Sequence, residues 1–208
     1  MPKGFYRDQD ICFDIKKLQN AIKEVDSRVA RQSPLGKNDL TAICLTQIPG
    51  DQNSITGGNV RGLYWTKPDS TYKEVEREAP INESQYSEFV KLFEDTYFKE
   101  VYDKLTTKYE LGRVRLLWKM PRTTLSWHRD PEPRIHIPII TNFGARMCIG
   151  DVVHHMPADG SVWVTNNTQY HNAFNGGEED RIHLVATVLN CDMKIFDSYP
   201  NSSLNQIW

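Results

Sequence analysis

The chain has 208 residues, the length of one sizeable domain, and can bury roughly two-thirds or more of its unfolded surface without a disulfide or zinc staple. With 39 % hydrophobic, 11 % aromatic and 25 % charged residues it reads as folded rather than disordered. Lys plus Arg (25) nearly cancels Asp plus Glu (27), so the net charge of -2 gives no global pull towards nucleic acid or an anionic membrane.

The amino terminus, MPKGFYRDQDICFD, is charged and lacks the apolar run of a signal peptide. No stretch approaches the ~20 apolar residues of a membrane span. The first predicted element is a helix over residues 14–31. Ile15, Leu18, Ile22, Val25 and Val29 recur at steps of 3, 4, 3 and 4, so they share one face. The stretch RQSPLGKND breaks that pattern. A short strand is predicted at 40–48, then a turn-rich loop, PGDQNSITGGN, and a second strand at 60–65. A second helix is predicted over 83–108. Asn82 would cap it with Gln85 three residues on, Phe89, Phe93, Tyr97, Val101 and Leu105 would form its face, and Gly112 would end it.

From residue 113 the pattern changes to short alternating strands, at 113–120, 134–140, 146–149, 161–166 and 181–189. Turns fall at PR, DPEP, NFGA, PADG and NGGEED. Strands at this spacing, with no helices between them, predict a closed or sandwiched antiparallel β architecture. The four cysteines (Cys12, Cys44, Cys148, Cys191) form no CxxC pair, which favours reduced thiols in a cytoplasm over a disulfide framework or a thiolate site. The sequons beginning at Asn82, Asn166 and Asn201 carry no meaning in that compartment.

The informative stretch is W-H128-R-D130. A His and an Asp two residues apart on an extended chain project from one side and offer an imidazole and a carboxylate. Alone, the pair equally fits a strand-end His capped by a neighbouring Asp. A distant His would complete a two-His, one-carboxylate facial triad, and His171, 171 − 128 = 43 residues on, is the best candidate. Arg181 lies 181 − 171 = 10 residues further, at the start of a strand. It could be an exposed strand-end charge. Beside such a triad, a forked guanidinium is the best partner for the distal carboxylate of an iron-chelating 2-oxoglutarate. In Arg134-Ile-His136-Ile-Pro-Ile the isoleucines form one face, and Arg134 and His136 share the other. If that face points inward, both basic groups need anionic company, for which the cosubstrate's carboxylates are natural candidates. Arg181-Ile-His183-Leu repeats the pattern.

Together WHRDPEPRIHIPI, MPADGSVWVTNNTQYHNAFN and EDRIHLVATVL resemble the aspartyl/asparaginyl β-hydroxylase family, over Arg113 to Leu189. The resemblance implies a mainly β (α+β) fold, a double-stranded β-helix or cupin-type jelly roll, with flanking N-terminal helices. It implies a 2-oxoglutarate oxygenase using Fe(II), 2-oxoglutarate and O₂. Carried over, His128, Asp130 and His171 match the iron ligands, Arg181 the residue for the distal carboxylate, and Arg134 and His136 the pair near the cosubstrate. The animal peptide hydroxylases of the family replace the carboxylate ligand with a small residue. Asp130 therefore resembles the bacterial, small-molecule branch, which includes proline hydroxylases.

The expected plan is one domain over 1–208. Residues 1–112 would pack on the barrel, 113–190 would form the jelly-roll core with the site, and 191–208 would be a tail. The expected reaction is hydroxylation of a C–H bond in an amino acid, or in an Asp, Asn or Pro residue of a peptide, with release of succinate and CO₂. The expected partner is thus a small molecule or peptide, with no nucleic acid or membrane. Two alternatives stay open: a metal-dependent cupin dioxygenase without 2-oxoglutarate, and a non-catalytic β-barrel binding module. Trp127 and Trp163 are candidate cavity aromatics, Asn175 a brace for the loop after His171, and Arg61 a candidate substrate anchor or a plain surface charge. His154 and His155 read as surface residues.

Overall fold

The computed structural model describes residues 2–33, 40–56, 62–77 and 81–197. In chain order the elements are β1 (Phe5–Cys12), α1 (Ile15–Arg28), β2 (Leu40–Cys44), β3 (Thr46–Gln47), β4 (Tyr64–Thr66), β5 (Val75–Arg77), β6 (Glu88–Phe89) and α2 (Tyr97–Thr106). There follow β7 (Leu111–Lys119), β8 (Thr123–Thr124), β9 (His128–Arg129), β10 (Arg134–Ile140), β11 (Ala145–Ile149), β12 (Val152–His154), β13 (Ser161–Thr165), β14 (His171–Asn175) and β15 (Arg181–Val188). A six-stranded sheet runs β1-β13-β10-β15-β7-β2, and a second runs β12-β11-β14-β9-β4-β5 with β8 also on β14. All the pairings are antiparallel, and the two sheets make the expected jelly roll. Strands from before residue 113 (β1, β2, β4 and β5) belong to both sheets.

Alternation along the strands of the six-stranded sheet decides what each face does. Ile135, Ile137 and Ile139 of β10, Ile182, Leu184 and Ala186 of β15, and Val114, Leu116 and Trp118 of β7 form one core with Leu18, Ile22 and Val25 of α1 and Phe98, Val101 and Leu105 of α2. The residues between them face the other sheet and are largely polar. They include Arg134 and His136, Arg181 and Thr187, and Arg113, Arg115 and Lys119, all buried except Arg115, which is half-buried. The larger apolar core therefore lies outside the barrel, under the helices; a smaller one (Phe5, Met147, Ile149, Met156 and Trp163) sits between the sheets, and the polar remainder of the interior is left for chemistry.

The helix predicted over 14–31 is α1, capped by Asp14, whose side chain accepts from the backbone N–H groups of Lys16 and Lys17. The one predicted over 83–108 is not a single helix. Asn82 does cap a turn, but a 3-10 turn at Glu83–Gln85. β6 then pairs with β3 (Thr46↔Phe89), the Val90 N–H donates to the Leu45 carbonyl, and only Tyr97–Thr106 is α-helical. The four-residue repeat survives as burial of Phe89, Phe93, Val101 and Leu105, because tertiary pairing overrides spacing. Gly112 is no helix cap. It lies in β7, where a Cβ would come 2.6 Å from the main-chain oxygen of Glu83. The strand predicted at 60–65 is seen as β4, and Arg61 lies outside the described residues.

β1 was not expected, since its charge-rich sequence shows no clean alternation. A register irregularity between Arg7 and Cys12, where it pairs with β13, accounts for that. With β1 beside β13, His154 is not a surface residue. Its ring lies between Phe5 and Trp163, at centroid distances of 5.1 and 4.9 Å, with Nε2 buried and without a hydrogen-bond partner among the described residues. His155 is half-buried too, and its Nδ1 donates to the Ala145 carbonyl at 2.9 Å.

Candidate active site

β9 and β14 place His128 directly opposite His171, with ring centroids 4.3 Å apart. Asp130, two residues beyond His128, reaches the same point. Its Oδ1 is 3.9 Å from His128 Nε2 and its Oδ2 is 3.8 Å from His171 Nε2. One ligand atom from each of the three residues falls within 4.8 Å of the others, close enough to share a metal ion. The tautomers suit that task. Nδ1 of His128 lies 2.6 Å from the Ser126 carbonyl and Nδ1 of His171 lies 3.0 Å from that of Gln169. A carbonyl only accepts, so each Nδ1 carries the proton and each Nε2 presents a lone pair to the centre. Burial lowers the His171 pKa to about 4, against the pull of Asp130, which leaves the neutral ring a metal needs. Burial opposes ionisation of Asp130, but Arg134, His171 and His128 outweigh it and keep its pKa below the ordinary value.

The same cavity is lined by Arg181 and His136. Arg181 is 5 % exposed and forms no ion pair with any carboxylate among the described residues. Its Nε and Nη2 approach the His183 ring at 3.1 and 2.8 Å. Burial lowers its pKa to about 10, so it stays charged at neutral pH. His136 Nε2 is buried and has no hydrogen-bond partner among the described residues. Burial, with Arg181 second, holds the His136 pKa well below its usual range, and burial does the same to His183. β10 and β15 are neighbours, so the two Arg/His pairs do lie side by side, as the repeated pattern implied.

Arg134 also lines the cavity, but its anions are the protein's own. Its Nε donates to Asp130 Oδ2 (3.2 Å), its Nη1 donates to Glu83 Oε2 (3.0 Å) and to Thr187, and Glu132 lies at 3.6 Å. The anionic company expected from the cosubstrate is therefore supplied by Glu83 and Asp130. Glu83 also takes Arg113 Nη2 at 2.6 Å. Burial works against its ionisation, but Arg134, Arg113 and Arg115 outweigh it and hold its pKa far below the carboxylate range.

Trp127 and Trp163 line no part of this cavity. Trp127 is 42 % exposed and stacks on Tyr170, and Trp163 packs with Phe5, Met147, Ile149 and Met156. Asn175 braces the loop after His171 as expected. It donates to the carbonyls of Lys119 (3.0 Å) and Glu179 (2.7 Å) and accepts from the Gly177 N–H. Glu83, Arg113, Arg115 and Asn167 were missed. The alternation Arg113-Val-Arg115-Leu was visible as a signal for a charged inner face, whereas Glu83 was hidden inside an apparent helix.

A cavity holding a metal-spaced His/Asp/His cluster beside a buried cation calls for comparison with known proteins. The family model for aspartyl/asparaginyl beta-hydroxylase matches residues 50–190. The chain belongs to this family. The match begins well before residue 113, so it takes in Glu83 and β4 as well as the strands around the triad. The chain is thus a hydroxylase, and its His/Asp/His donor set fits a divalent iron ion. No curated protein matches. Among solved structures, it is similar to an oxidoreductase of the 2OG-Fe(II) oxygenase family from Burkholderia pseudomallei, at 16 % identity over 88 % of this chain and 83 % of that one (TM-score 0.48). It is also similar to the viral collagen prolyl hydroxylase of Paramecium Bursaria Chlorella virus-1, at 9 % identity over 89 % and 96 % (TM-score 0.47). No described helix of the hydroxylase is long and apolar enough to cross a membrane.

Proposed function

We propose that His128, Asp130 and His171 hold Fe(II), that Arg181 takes the distal carboxylate of 2-oxoglutarate with His136 beside it, and that the substrate is an amino acid or an Asp, Asn or Pro residue in a peptide. The observation that carries this reading is the buried Arg181 guanidinium, which has no carboxylate partner among the described residues, next to the unpartnered Nε2 of His136. A buried cation of that kind is costly unless an anion joins it, so the cavity favours a dianionic cosubstrate over metal-only chemistry. When bound, iron with 2-oxoglutarate and O₂ supplies the oxidising power, and succinate and CO₂ are released as a C–H bond becomes C–OH. The chain's part is to hold and orient. Two imidazoles and a carboxylate face one point, and Arg181 sets the direction of the cosubstrate. Four free cysteines support a reducing cytoplasm as its place of work.

The test is an anaerobic titration of the metal-free protein with Fe(II) and then 2-oxoglutarate, followed by visible absorbance. A weak charge-transfer band that His128→Ala abolishes and Arg181→Ala shifts to higher 2-oxoglutarate concentration supports the assignment. Iron binding without a band sinks the cosubstrate part. Succinate release is then compared with free aspartate, asparagine and proline and with peptides containing them. Stimulation by none of these would overturn the substrate class.

A further inference from the structure

Asp130 offers the centre two oxygens, whereas each histidine has its Nδ1 engaged by a main-chain carbonyl and only Nε2 left to give. Both hydrogen bonds that Asp130 accepts at its side chain go to the same oxygen. Oδ2 accepts from Arg134 Nε at 3.2 Å and from Asn167 Nδ2 at 3.2 Å. Among the described residues Oδ1 accepts none, and it lies 3.9 Å from the lone-pair nitrogen of His128.

Both donors are themselves held. Asn167 is buried in the turn before His171, its Oδ1 is 2.6 Å from the Thr165 hydroxyl, and its main-chain carbonyl accepts from the Asp130 N–H at 2.8 Å. With Oδ1 turned to the hydroxyl, the NH₂ group must face the triad, where it is also 3.0 Å from His171 Nε2. Arg134 is held by Glu83, which Arg113 grips from the other side. Two glycines make the seat of Glu83: a Cβ at Gly62 would overlap Glu83 Oε1, and one at Gly112 would press on its main-chain oxygen.

We infer that Arg134 and Asn167, backed by Glu83, are positioning residues for the metal's carboxylate: they tie up Oδ2 of Asp130 and reserve Oδ1 for the ion. The inference rests on the triad reading above. It moves Arg134 from the cosubstrate to the metal ligand and leaves the cosubstrate's carboxylates to Arg181 and His136. Hydrogen bonds that orient a ligand typically govern about 10- to 100-fold of metal affinity.

The experiment is Co(II) titration of the metal-free protein without 2-oxoglutarate. It reads affinity and the visible d–d spectrum for wild type, Asn167→Ala, Arg134→Lys and His128→Ala, with the melting temperature of each metal-free variant. Asn167→Ala is expected to bind Co(II) about 10- to 100-fold more weakly, with an altered d–d spectrum, while its metal-free melting temperature moves little. A merely structural residue would move the melting temperature and leave the spectrum alone. Should Asn167→Ala fail to fold, Arg134→Lys, which keeps the charge and loses the guanidinium fork, is read in the same way. Wild-type affinity and spectrum in Asn167→Ala, with Co(II) binding lost in His128→Ala, overturn this inference alone. Wild-type Co(II) binding by His128→Ala overturns the triad reading and the inference with it.

Discussion

His128 and His171 are cross-strand partners on β9 and β14, and the same pairing sets what their neighbours do. The imidazoles turn inward with centroids 4.3 Å apart, while Trp127 and Tyr170, each one residue earlier, stack outside at 6.4 Å. One piece of strand pairing thus makes both a donor pair and its outer cover. Replacing either histidine by alanine is expected to lower divalent-metal affinity by orders of magnitude. Trp127→Ala should cost about 0.5–1.5 kcal/mol of stability and leave metal affinity unchanged. Calorimetric titration with Co(II), beside thermal melts, checks both. Metal loss in Trp127→Ala would count against this division of labour.

The two buried arginines of the β10–β15 pair should respond in opposite ways. Arg134 is matched by Glu83 and Asp130, so Arg134→Met takes a shared cation from buried Glu83 and half-buried Asp130 and should destabilise the metal-free protein by about 3 kcal/mol. Arg181 has no such match among the described residues. Arg181→Met should therefore leave the metal-free protein as stable as wild type, or more so, and abolish the stabilisation that 2-oxoglutarate plus metal confers. Urea unfolding with and without ligand separates the two. A large stability loss in Arg181→Met would mean that its charge serves the fold.

Glu83 gives the acid limb of stability a definite sign. Its folded pKa is depressed below the 4.5 of the free side chain, so its contribution is complete above the unfolded value and disappears as pH falls towards the folded one. Glu83→Gln should be destabilised by about 3–5 kcal/mol at pH 7, because Arg113 and Arg134 lose their counter-ion. The deficit should shrink as pH drops below about 4.5. Unfolding midpoints at pH 7, 5 and 3.5 test this. A deficit constant over that range would contradict it.

His154 acts in a neighbouring window. Burial first, then His155 and Arg146, lowers its pKa from 6.5 to about 4, so the folded state favours the neutral ring. Stability from this source is full above pH 6.5 and is lost as pH falls through 4. His154→Phe keeps a ring between Phe5 and Trp163 and removes the unpartnered nitrogen. The variant should lose about 2 kcal/mol less than wild type between pH 7 and 4, allowing for partial exposure. Parallel pH dependence of the two proteins would show that His154 is not the group involved.

Much of the barrel and the triad could be read from residue order alone. Strand alternation depends on neighbours two apart, and His128, Asp130 and the Arg/His pairs of β10 and β15 all carry that short-range signal. Residue order showed which residues share a face, that the charged face would need anions if it turned inward, and which side chains could ligate a metal. That this face is buried, and which anions meet it, came from the packing of the sheets. Glu83 reaches Arg134 across 51 residues, and Asn167 reaches Asp130 across 37. Tertiary structure also decided that the stretch around Glu83 is a turn, a strand and a short helix, despite a repeat that fits one long helix. A four-residue spacing records burial on one side, and both arrangements satisfy it. The choice fell to the pairing of β6 with β3 and to the need to bring a carboxylate to buried guanidinium groups, neither of which has a local trace in the chain.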